Sequence, residues 1–197
     1  FLSHVSRAEE FGMRRGADAV PGDTAAHHFS FADVMERVQQ VVRTVEPHDS
    51  VERYTGLGVD VVAGSARLVS PWEVEVTRPD GAKETLSARS IVIAAGARPF
   101  VPPIPGIEQV DYLTSDTVWN LRELPRRMVV LGGGPIGCEL AQAFARFGAR
   151  VSQVEMAPRL MIREDPEVSD LVAERFRKEG VDLLLNHKAK QFVVDNG

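Results

Sequence analysis

The chain has 197 residues, of which 44% are hydrophobic and 26% charged, and 28 acidic residues against 23 Lys and Arg give a formal net charge of −5. This composition is typical of a folded domain and excludes disorder, and the acidic balance argues against a nucleic-acid surface. No apolar run approaches the roughly 18 residues that a membrane span requires. The single cysteine, Cys138, excludes an intrachain disulfide and a cysteine-based metal cluster.

Both ends of the sequence have the pattern of interrupted elements. Phe1–Phe11 begins without Met and carries apolar residues at helical spacing, with none of the features of a secretory leader. At the other end, Gln191–Val194 is strand-like and runs into Asp195-Asn196-Gly197, a hairpin-turn pattern with no returning strand. We therefore expect the sequence to be an excerpt from a longer protein.

The first half of the chain predicts one long helix followed by short strands. Ser30 is a suitable N-cap for a helix over Ser30–Glu46, whose apolar residues form one stripe and which Pro47 ends. The extended segments that follow are a buried strand at Val59–Ala63, an antiparallel meander of Arg67–Ser70, Trp72–Thr77 and Lys83–Ala88, and a second buried strand at Ser90–Gly96. Four prolines within Arg98–Gly106 exclude helix there and predict an extended crossing between two domains.

Strands and helices alternate in the second half. The predicted strands are Arg127–Leu131, Arg150–Glu155 and Val181–Leu185, and the predicted helices are Pro135–Phe147 and Pro166–Glu179. Such alternation implies right-handed crossovers and a parallel sheet. The predicted fold class is therefore α/β, with a Rossmann-like parallel-sheet domain that follows a part containing the antiparallel meander.

The connection between the first strand and the first helix of this second half is rich in glycine. Gly132, Gly134 and Gly137 form a Gly-x-Gly-x-x-Gly pattern that follows a strand and opens a helix, the context in which this pattern binds a dinucleotide. The first glycine permits a tight turn, the second lets the backbone approach a pyrophosphate, and the third lets helix and strand pack closely. The helix N-terminus adds free N–H groups and a positive dipole end. A glycine-rich turn without a ligand is the alternative.

An acidic residue lies where the ribose of a dinucleotide would be held. Glu155 ends the second of these strands, 23 residues after Gly132. A carboxylate there accepts both ribose hydroxyls and repels a 2′-phosphate, so the sequence favours NADH over NADPH. Arg159 and Arg163 lie close enough in sequence to accommodate a phosphate, which leaves NADPH open.

Two further side chains accompany the glycine-rich turn. Glu139 is expected in the first turn of the following helix, where it either stabilises the helix dipole or lies beside a nicotinamide. Cys138 is expected to fill the core between helix and sheet. We assign no catalytic residue and no metal site within the chain, since metal-ligand spacing is absent among its five histidines, His4, His27, His28, His48 and His187.

Taken in order, these segments resemble a known family. Ser90–Arg98, with the sequence SIVIAAGAR, is similar to the second flavin motif of the pyridine nucleotide-disulfide oxidoreductases, with Ala95 where that motif usually has Thr. The proline-rich crossing, Tyr112–Asp116 and the GGGPIGCELA run follow in the family's order. The region from Glu155 to Glu167 is most similar to mercuric reductase-like and dihydrolipoamide dehydrogenase-like members. The resemblance covers nearly the whole chain.

The resemblance implies part of a cytoplasmic, homodimeric, three-domain flavoprotein that passes hydride from NAD(P)H to FAD and on to a disulfide or related acceptor. It assigns residues 1–105 to part of an FAD-binding domain that contains the meander, and residues 106–197 to a Rossmann-like NAD(P)-binding domain. The contacts it implies are Ala66, Ala95 and Gly96 for FAD, and Gly132, Gly133, Gly134, Pro135, Ile136, Gly137, Glu139 and Glu155 for the nicotinamide dinucleotide. The family's first Gly-x-Gly-x-x-Gly and its redox cysteine pair are not in these 197 residues, so we expect the chain by itself to be inactive.

Two other classes stay open. A ferredoxin-reductase-type flavoenzyme shares the flavin strand and the nucleotide turn but has no redox disulfide, and the long helix before the first strand favours the disulfide reductases. A non-enzymatic NAD-binding module would need no flavin half, and the flavin-like Ser90–Gly96 argues against it. The sequence does not distinguish Hg(II), lipoamide or another disulfide as the final acceptor.

Overall fold

The computed structural model describes residues 30–195, which divide into two compact units. The first unit combines the described parts of Phe1–Val38 and Pro99–Gly197, and the second is Gln39–Arg98. The helix expected at Phe1–Phe11 lies outside the described residues, as do the last two residues of the expected hairpin turn. No helix within residues 30–195 is both long enough and apolar enough to cross a membrane.

The long helix is formed, but only its beginning is buried. Helix α1, Phe31–Val45, starts after Ser30, whose Oγ accepts a hydrogen bond from the Asp33 N–H at 3.3 Å. Phe31 and Met35 are buried, and the ring of Phe31 lies edge-on to Phe147 with their centroids 5.5 Å apart. The second half of the apolar stripe is exposed, at Val41, Val42 and Val45. Beyond α1, a short 3₁₀ helix at Glu46–Asp49 contains Pro47 and leads into helix α2, Val51–Gly56.

The antiparallel meander is confirmed. Its strands are β1 (Ser65–Ser70), β2 (Glu73–Thr77) and β3 (Lys83–Ser87), with β2 in the centre. The turn between β2 and β3 follows from local chemistry, because Asp80 Oδ1 accepts from the Ala82 N–H at 2.9 Å and Gly81 has a φ of 87°.

Three other predicted strands are wrong. Val59–Ala63, Ser90–Gly96 and Gln191–Val194 are not paired as strands, and Val59 and Val92 are 47% and 87% exposed. An apolar run becomes a buried strand only where a neighbouring strand takes up its backbone hydrogen bonds and another layer covers its side chains. Neither sheet formed by residues 30–195 provides that neighbour. The proline-rich crossing contains no helix, as expected, and its Pro105 carbonyl accepts from the Phe192 N–H at 2.8 Å.

The parallel sheet is confirmed, with strand boundaries within one residue of the prediction. Its order is β4-β5-β6, and these strands and the two connecting helices are β4 (Arg127–Leu131), α3 (Pro135–Phe147), β5 (Arg150–Glu155), α4 (Pro166–Lys178) and β6 (Asp182–Leu185). Each helix begins with a proline and is followed by a glycine of positive φ, Gly148 after α3 and Gly180 after α4. Buried residues of α3, β5 and α4 form a core, including Ala141, Phe144, Val151 and Phe176.

An ion pair joins the C-terminal ends of α3 and α4. Arg146 donates two hydrogen bonds to the Glu179 carboxylate, at 2.7 and 3.0 Å, and Arg175 donates a third at 2.5 Å. Burial by itself would raise the pKa of Glu179, but the hydrogen bonds from both arginines hold that pKa below its usual value. The carboxylate therefore stays ionised and fixes the two helices at the end of the sheet opposite the glycine-rich turn.

Candidate functional site

The glycine-rich turn continues directly from β4 and changes direction at Gly132. The Gly132 N–H donates to the Val154 carbonyl at 2.8 Å, which extends the pairing of β4 with β5 by one residue. Gly132 has a φ of 105°, a conformation that residues with a side chain rarely adopt. The chain can therefore leave the sheet and enter α3 within three residues.

The other two glycines of the pattern have different surroundings. A Cβ on Gly137 would lie 2.6 Å from the Gly132 carbonyl oxygen, so the first turn of α3 packs against the backbone that leaves β4. A Cβ on Gly134 would meet no atom within 4 Å. The backbone at Gly134 thus faces open space, where a ligand can approach closely.

The N-terminus of α3 begins at this space, because Gly134 is the N-cap of the helix. The first α-helical hydrogen bond runs from the Cys138 N–H to the Gly134 carbonyl at 3.0 Å. The backbone N–H groups of Ile136 and Gly137 come earlier and have no α-helical partner, as at any helix N-terminus. Together with the helix dipole they favour an anion at this position.

The carboxylate of Glu155 lies beside the turn. Its Oε2 accepts from the Gly133 N–H at 2.5 Å, and its Oε1 accepts from the Ala157 N–H at 2.7 Å. A carboxylate has about four lone-pair positions, so each oxygen can accept a further hydrogen bond from a ligand hydroxyl. The structure brings the predicted acidic residue to the predicted turn and fixes its orientation through two backbone groups.

Gly133 is closely packed, although it occupies a variable position of the Gly-x-Gly-x-x-Gly pattern. A Cβ on this residue would lie 2.8 Å from Leu160 Cδ2 and 3.0 Å from Glu155 Cγ. The Gly133 carbonyl accepts from the Met161 N–H at 2.6 Å, and Leu160 is fully buried. The loop after β5 therefore packs on the turn, and sequence reasoning did not identify Leu160 or Met161 because both look like ordinary apolar loop residues.

Arg159, which the sequence left open as a phosphate ligand, has other partners. Its Nη1 donates to the Glu164 carbonyl at 2.7 Å and to Ser169 Oγ at 3.0 Å, and its Nη2 donates to the Ile162 carbonyl at 3.0 Å. These bonds join the loop after β5 to the start of α4. Arg163, the other residue left open, has an exposed side chain.

Glu139 is not in the first turn of α3, which corrects the prediction. It is the fifth residue of the helix, no acidic residue occupies the first turn, and its side chain is exposed. The effect of the helix dipole falls off within the first turn, so the dipole accounts poorly for an acid at this position.

Cys138 fills the core, as predicted, and also contacts the turn. It is 5% exposed, and its Sγ donates to the Gly133 carbonyl at 3.5 Å. Burial raises the pKa of the thiol, a hydrogen bond from Gln153 acts in the opposite direction, and the charges of Glu155 and Glu139 raise the pKa further. The thiol is therefore protonated at neutral pH and unreactive.

The three residues expected to contact a flavin all lie in the unit formed by Gln39–Arg98. Ala66 pairs with Val76 across β1 and β2, whereas Ala95 and Gly96 lie outside any helix or strand, and Gly96 has a φ of 68°. All three are exposed. Within residues 30–195, no cluster of three or more His, Cys, Asp or Glu side chains is arranged to hold a metal ion.

The parallel sheet, the open glycine-rich turn at a helix N-terminus and the carboxylate at the end of the next strand define a dinucleotide-binding protein of the Rossmann type. The residues present fit such a ligand, because Gly134 leaves space for a pyrophosphate and Glu155 retains acceptor capacity for a ribose.

Comparisons with known proteins agree with this class. The family model described as pyridine nucleotide-disulphide oxidoreductase matches residues 13–197. A mercuric reductase from Streptomyces lividans is 37% identical over 175 residues, which are 84% of this chain and 37% of that protein. The probable pyridine nucleotide-disulfide oxidoreductase RclA from Escherichia coli is 35% identical over 190 residues, 94% of this chain and 43% of the relative.

A solved structure gives the same result. A mutant of the HOCl-induced flavoprotein disulfide reductase RclA from Escherichia coli, in complex with Cu(II), has a TM-score of 0.71 and 32% identity, and the match covers 90% of this chain and 41% of that one. The chain belongs to the pyridine nucleotide-disulphide oxidoreductase family, whose members are FAD- and NAD(P)-dependent. It spans less than half the length of the curated relatives named above.

Proposed function

We propose that the chain is the nicotinamide-dinucleotide-binding part, together with a portion of the FAD-binding part, of a flavoenzyme that passes hydride from NAD(P)H to FAD and then electrons to a disulfide or related acceptor. The observation that carries this proposal is the open space at Gly134, the N-cap of α3, in a turn whose preceding residue, Gly133, binds the Glu155 carboxylate. FAD, when bound, supplies the two-electron acceptor for the hydride.

We propose that the nucleotide is NADH rather than NADPH. Glu155 would accept hydrogen bonds from the two ribose hydroxyls, and its negative charge would repel a 2′-phosphate. Arg159 supports the same choice, because both of its terminal nitrogens already donate to loop carbonyls and to Ser169. The remaining contacts would be backbone contacts, made by Gly132, Gly133, Gly134, Pro135, Ile136 and Gly137.

The other features of the proposal follow from the family. Residues 1–105 would belong to the FAD-binding domain, with Ala66, Ala95 and Gly96 near the cofactor, and residues 106–197 to the NAD-binding domain. Along the chain, the boundaries between the two compact units fall after Val38 and after Arg98. We also propose a homodimeric, cytoplasmic enzyme, with Hg(II), lipoamide or another disulfide as the candidate acceptors.

The purified 197-residue chain provides a first test. We expect it to bind NADH saturably, as seen by quenching or enhancement of nucleotide fluorescence, and to be colourless because a single Gly-x-Gly-x-x-Gly serves only one of two dinucleotides. A chain that binds no NADH would refute the proposed site. A stoichiometric flavin absorbance band in the purified chain would show that the division between the two domains is wrong.

Glu139 can be tested in the full-length flavoenzyme. We expect Glu139→Gln to slow flavin reduction by saturating NADH in stopped-flow experiments while leaving the melting temperature nearly unchanged. A dipole contribution is worth only about 0.3–1 kcal/mol even in the first turn, whereas misplacing a reacting group by about 1 Å can cost about a hundredfold in rate. Glu174→Gln, which removes an exposed glutamate of α4, serves as the control. A large loss of stability with an unchanged reduction rate would make Glu139 a structural residue.

A further inference from the structure

A glutamine lies fully buried beneath the glycine-rich turn, in the middle of β5. Gln153 is 0% exposed, and its Nε2 donates to the Gly132 carbonyl at 3.0 Å. The same nitrogen lies 3.6 Å from Cys138 Sγ. Among the described residues, the Oε1 atom of Gln153 is the one buried side-chain polar atom without a hydrogen-bond partner.

The orientation of this amide follows from its partner. A carbonyl oxygen only accepts hydrogen bonds, so the amide nitrogen must face Gly132 and the amide oxygen must face away. A buried amide with an unpaired oxygen destabilises the fold, and an apolar side chain of similar size would fill the same space without that cost. The presence of an amide at this position is therefore explained by what its nitrogen does.

Gln153 and Glu155 hold opposite sides of one peptide group. They are two residues apart in β5, so their side chains leave the strand on the same face. Gln153 binds the carbonyl of Gly132, and Glu155 binds the N–H of Gly133, which belongs to the same peptide. Glycine on both sides of a peptide leaves it free to rotate. A rotated peptide would direct the Gly132 carbonyl, instead of the Gly133 N–H, at the carboxylate.

We infer that Gln153 is a positioning residue for dinucleotide binding, which holds the Gly132–Gly133 peptide in the orientation that directs the Gly133 N–H at Glu155. It does not touch the nucleotide itself. Through this peptide it fixes the carboxylate that would receive the ribose, and this part of the inference rests on the proposed function. The hydrogen-bond arrangement at Gly133 is a property of the chain without nucleotide and is independent of that function.

The experiment compares Gln153→Met, which keeps the length of the side chain without its amide, with the unsubstituted chain. We expect amide hydrogen exchange at Gly133 to accelerate about tenfold or more in the absence of nucleotide, and NADH affinity to fall about tenfold, because the hydrogen bond to a charged acceptor is no longer held in place. The melting temperature should change little, since the substitution removes the unpaired Oε1 together with the hydrogen bond to the Gly132 carbonyl. If Gln153 had only a structural role, the substitution would lower the melting temperature and leave hydrogen exchange at Gly133 unchanged.

A matched control and a second variant complete the test. Gln142→Met removes a partly buried glutamine of α3 that bonds to Glu179, and it should leave Gly133 exchange and NADH affinity unchanged. Gln153→Leu should reproduce the effects of Gln153→Met. Unchanged Gly133 exchange in either variant, or failure of both to fold, would overturn the inference. If the unsubstituted chain binds no NADH, the proposed function fails, while the exchange measurement still decides the role of Gln153.

Discussion

A Gly134→Ala variant is expected to fold normally and to bind NADH about 10- to 100-fold more weakly than the unsubstituted chain. This loss of affinity is expected because one added methyl group overpacks the contact between backbone and nucleotide. Gly134 has φ −76° and ψ 175°, values that alanine adopts without strain, and its Cβ would meet no atom of the protein within 4 Å. The methyl group would instead occupy the space through which the proposed pyrophosphate approaches the backbone. Titration of nucleotide fluorescence and thermal unfolding by circular dichroism measure the two properties separately.

Gly137→Ala provides the matched comparison, three residues further along the same turn. Its Cβ would lie 2.6 Å from the Gly132 carbonyl oxygen, a backbone atom that cannot move without opening the turn. We expect this variant to lose about 1–3 kcal/mol of stability, as overpacked sites do, and to bind NADH poorly because the turn is displaced. If Gly134→Ala lost stability and kept its affinity for NADH, the open space at Gly134 would not be the pyrophosphate site.

Glu155→Ala is expected to remove most of the preference for NADH over NADPH. Hydrogen bonds to a charged acceptor are worth about 1.5–3 kcal/mol each, so losing the equivalent of even one of the two ribose bonds should weaken NADH binding by about 10- to 150-fold. NADPH should bind as well as before or better, because the repulsion of its 2′-phosphate is removed. The ratio of the two dissociation constants therefore moves towards one, which parallel titrations with the two nucleotides measure.

The loop after β5 offers a control for this prediction. Glu164→Ala removes the same charge from an exposed side chain close in sequence, and it should leave both dissociation constants nearly unchanged. Glu155→Gln refines the result, because it keeps the size of the side chain but lacks one of the two acceptors used by Gly133 and Ala157. Equal affinities of the unsubstituted chain for NADH and NADPH would contradict the assignment of Glu155 to the ribose.

Local signals account for the elements that sequence analysis predicted well. Pro135 and Pro166 mark the starts of two helices, Gly148 and Gly180 follow their ends, and the periodicity of the apolar residues distinguishes these helices from the strands between them. The strands predicted at Val59–Ala63 and Ser90–Gly96 are not formed, although both segments have the composition of buried strands. Composition indicates that a segment is able to form a strand, and the presence of a neighbouring strand to pair with decides whether the strand forms.

The candidate site likewise has some features that the sequence predicts and others that only the tertiary structure shows. The sequence by itself determined the glycine-rich turn and the distance to Glu155, because a strand, a turn, a helix and the next strand follow one another along the chain. Only the tertiary structure decided that Gln153 lies beneath the turn, that Leu160 fills the space beside Gly133 and that Arg159 is engaged by loop carbonyls. These facts concern the hydrogen bonds and packing of individual side chains, and periodicity and spacing specify the face on which a residue lies without specifying its partner.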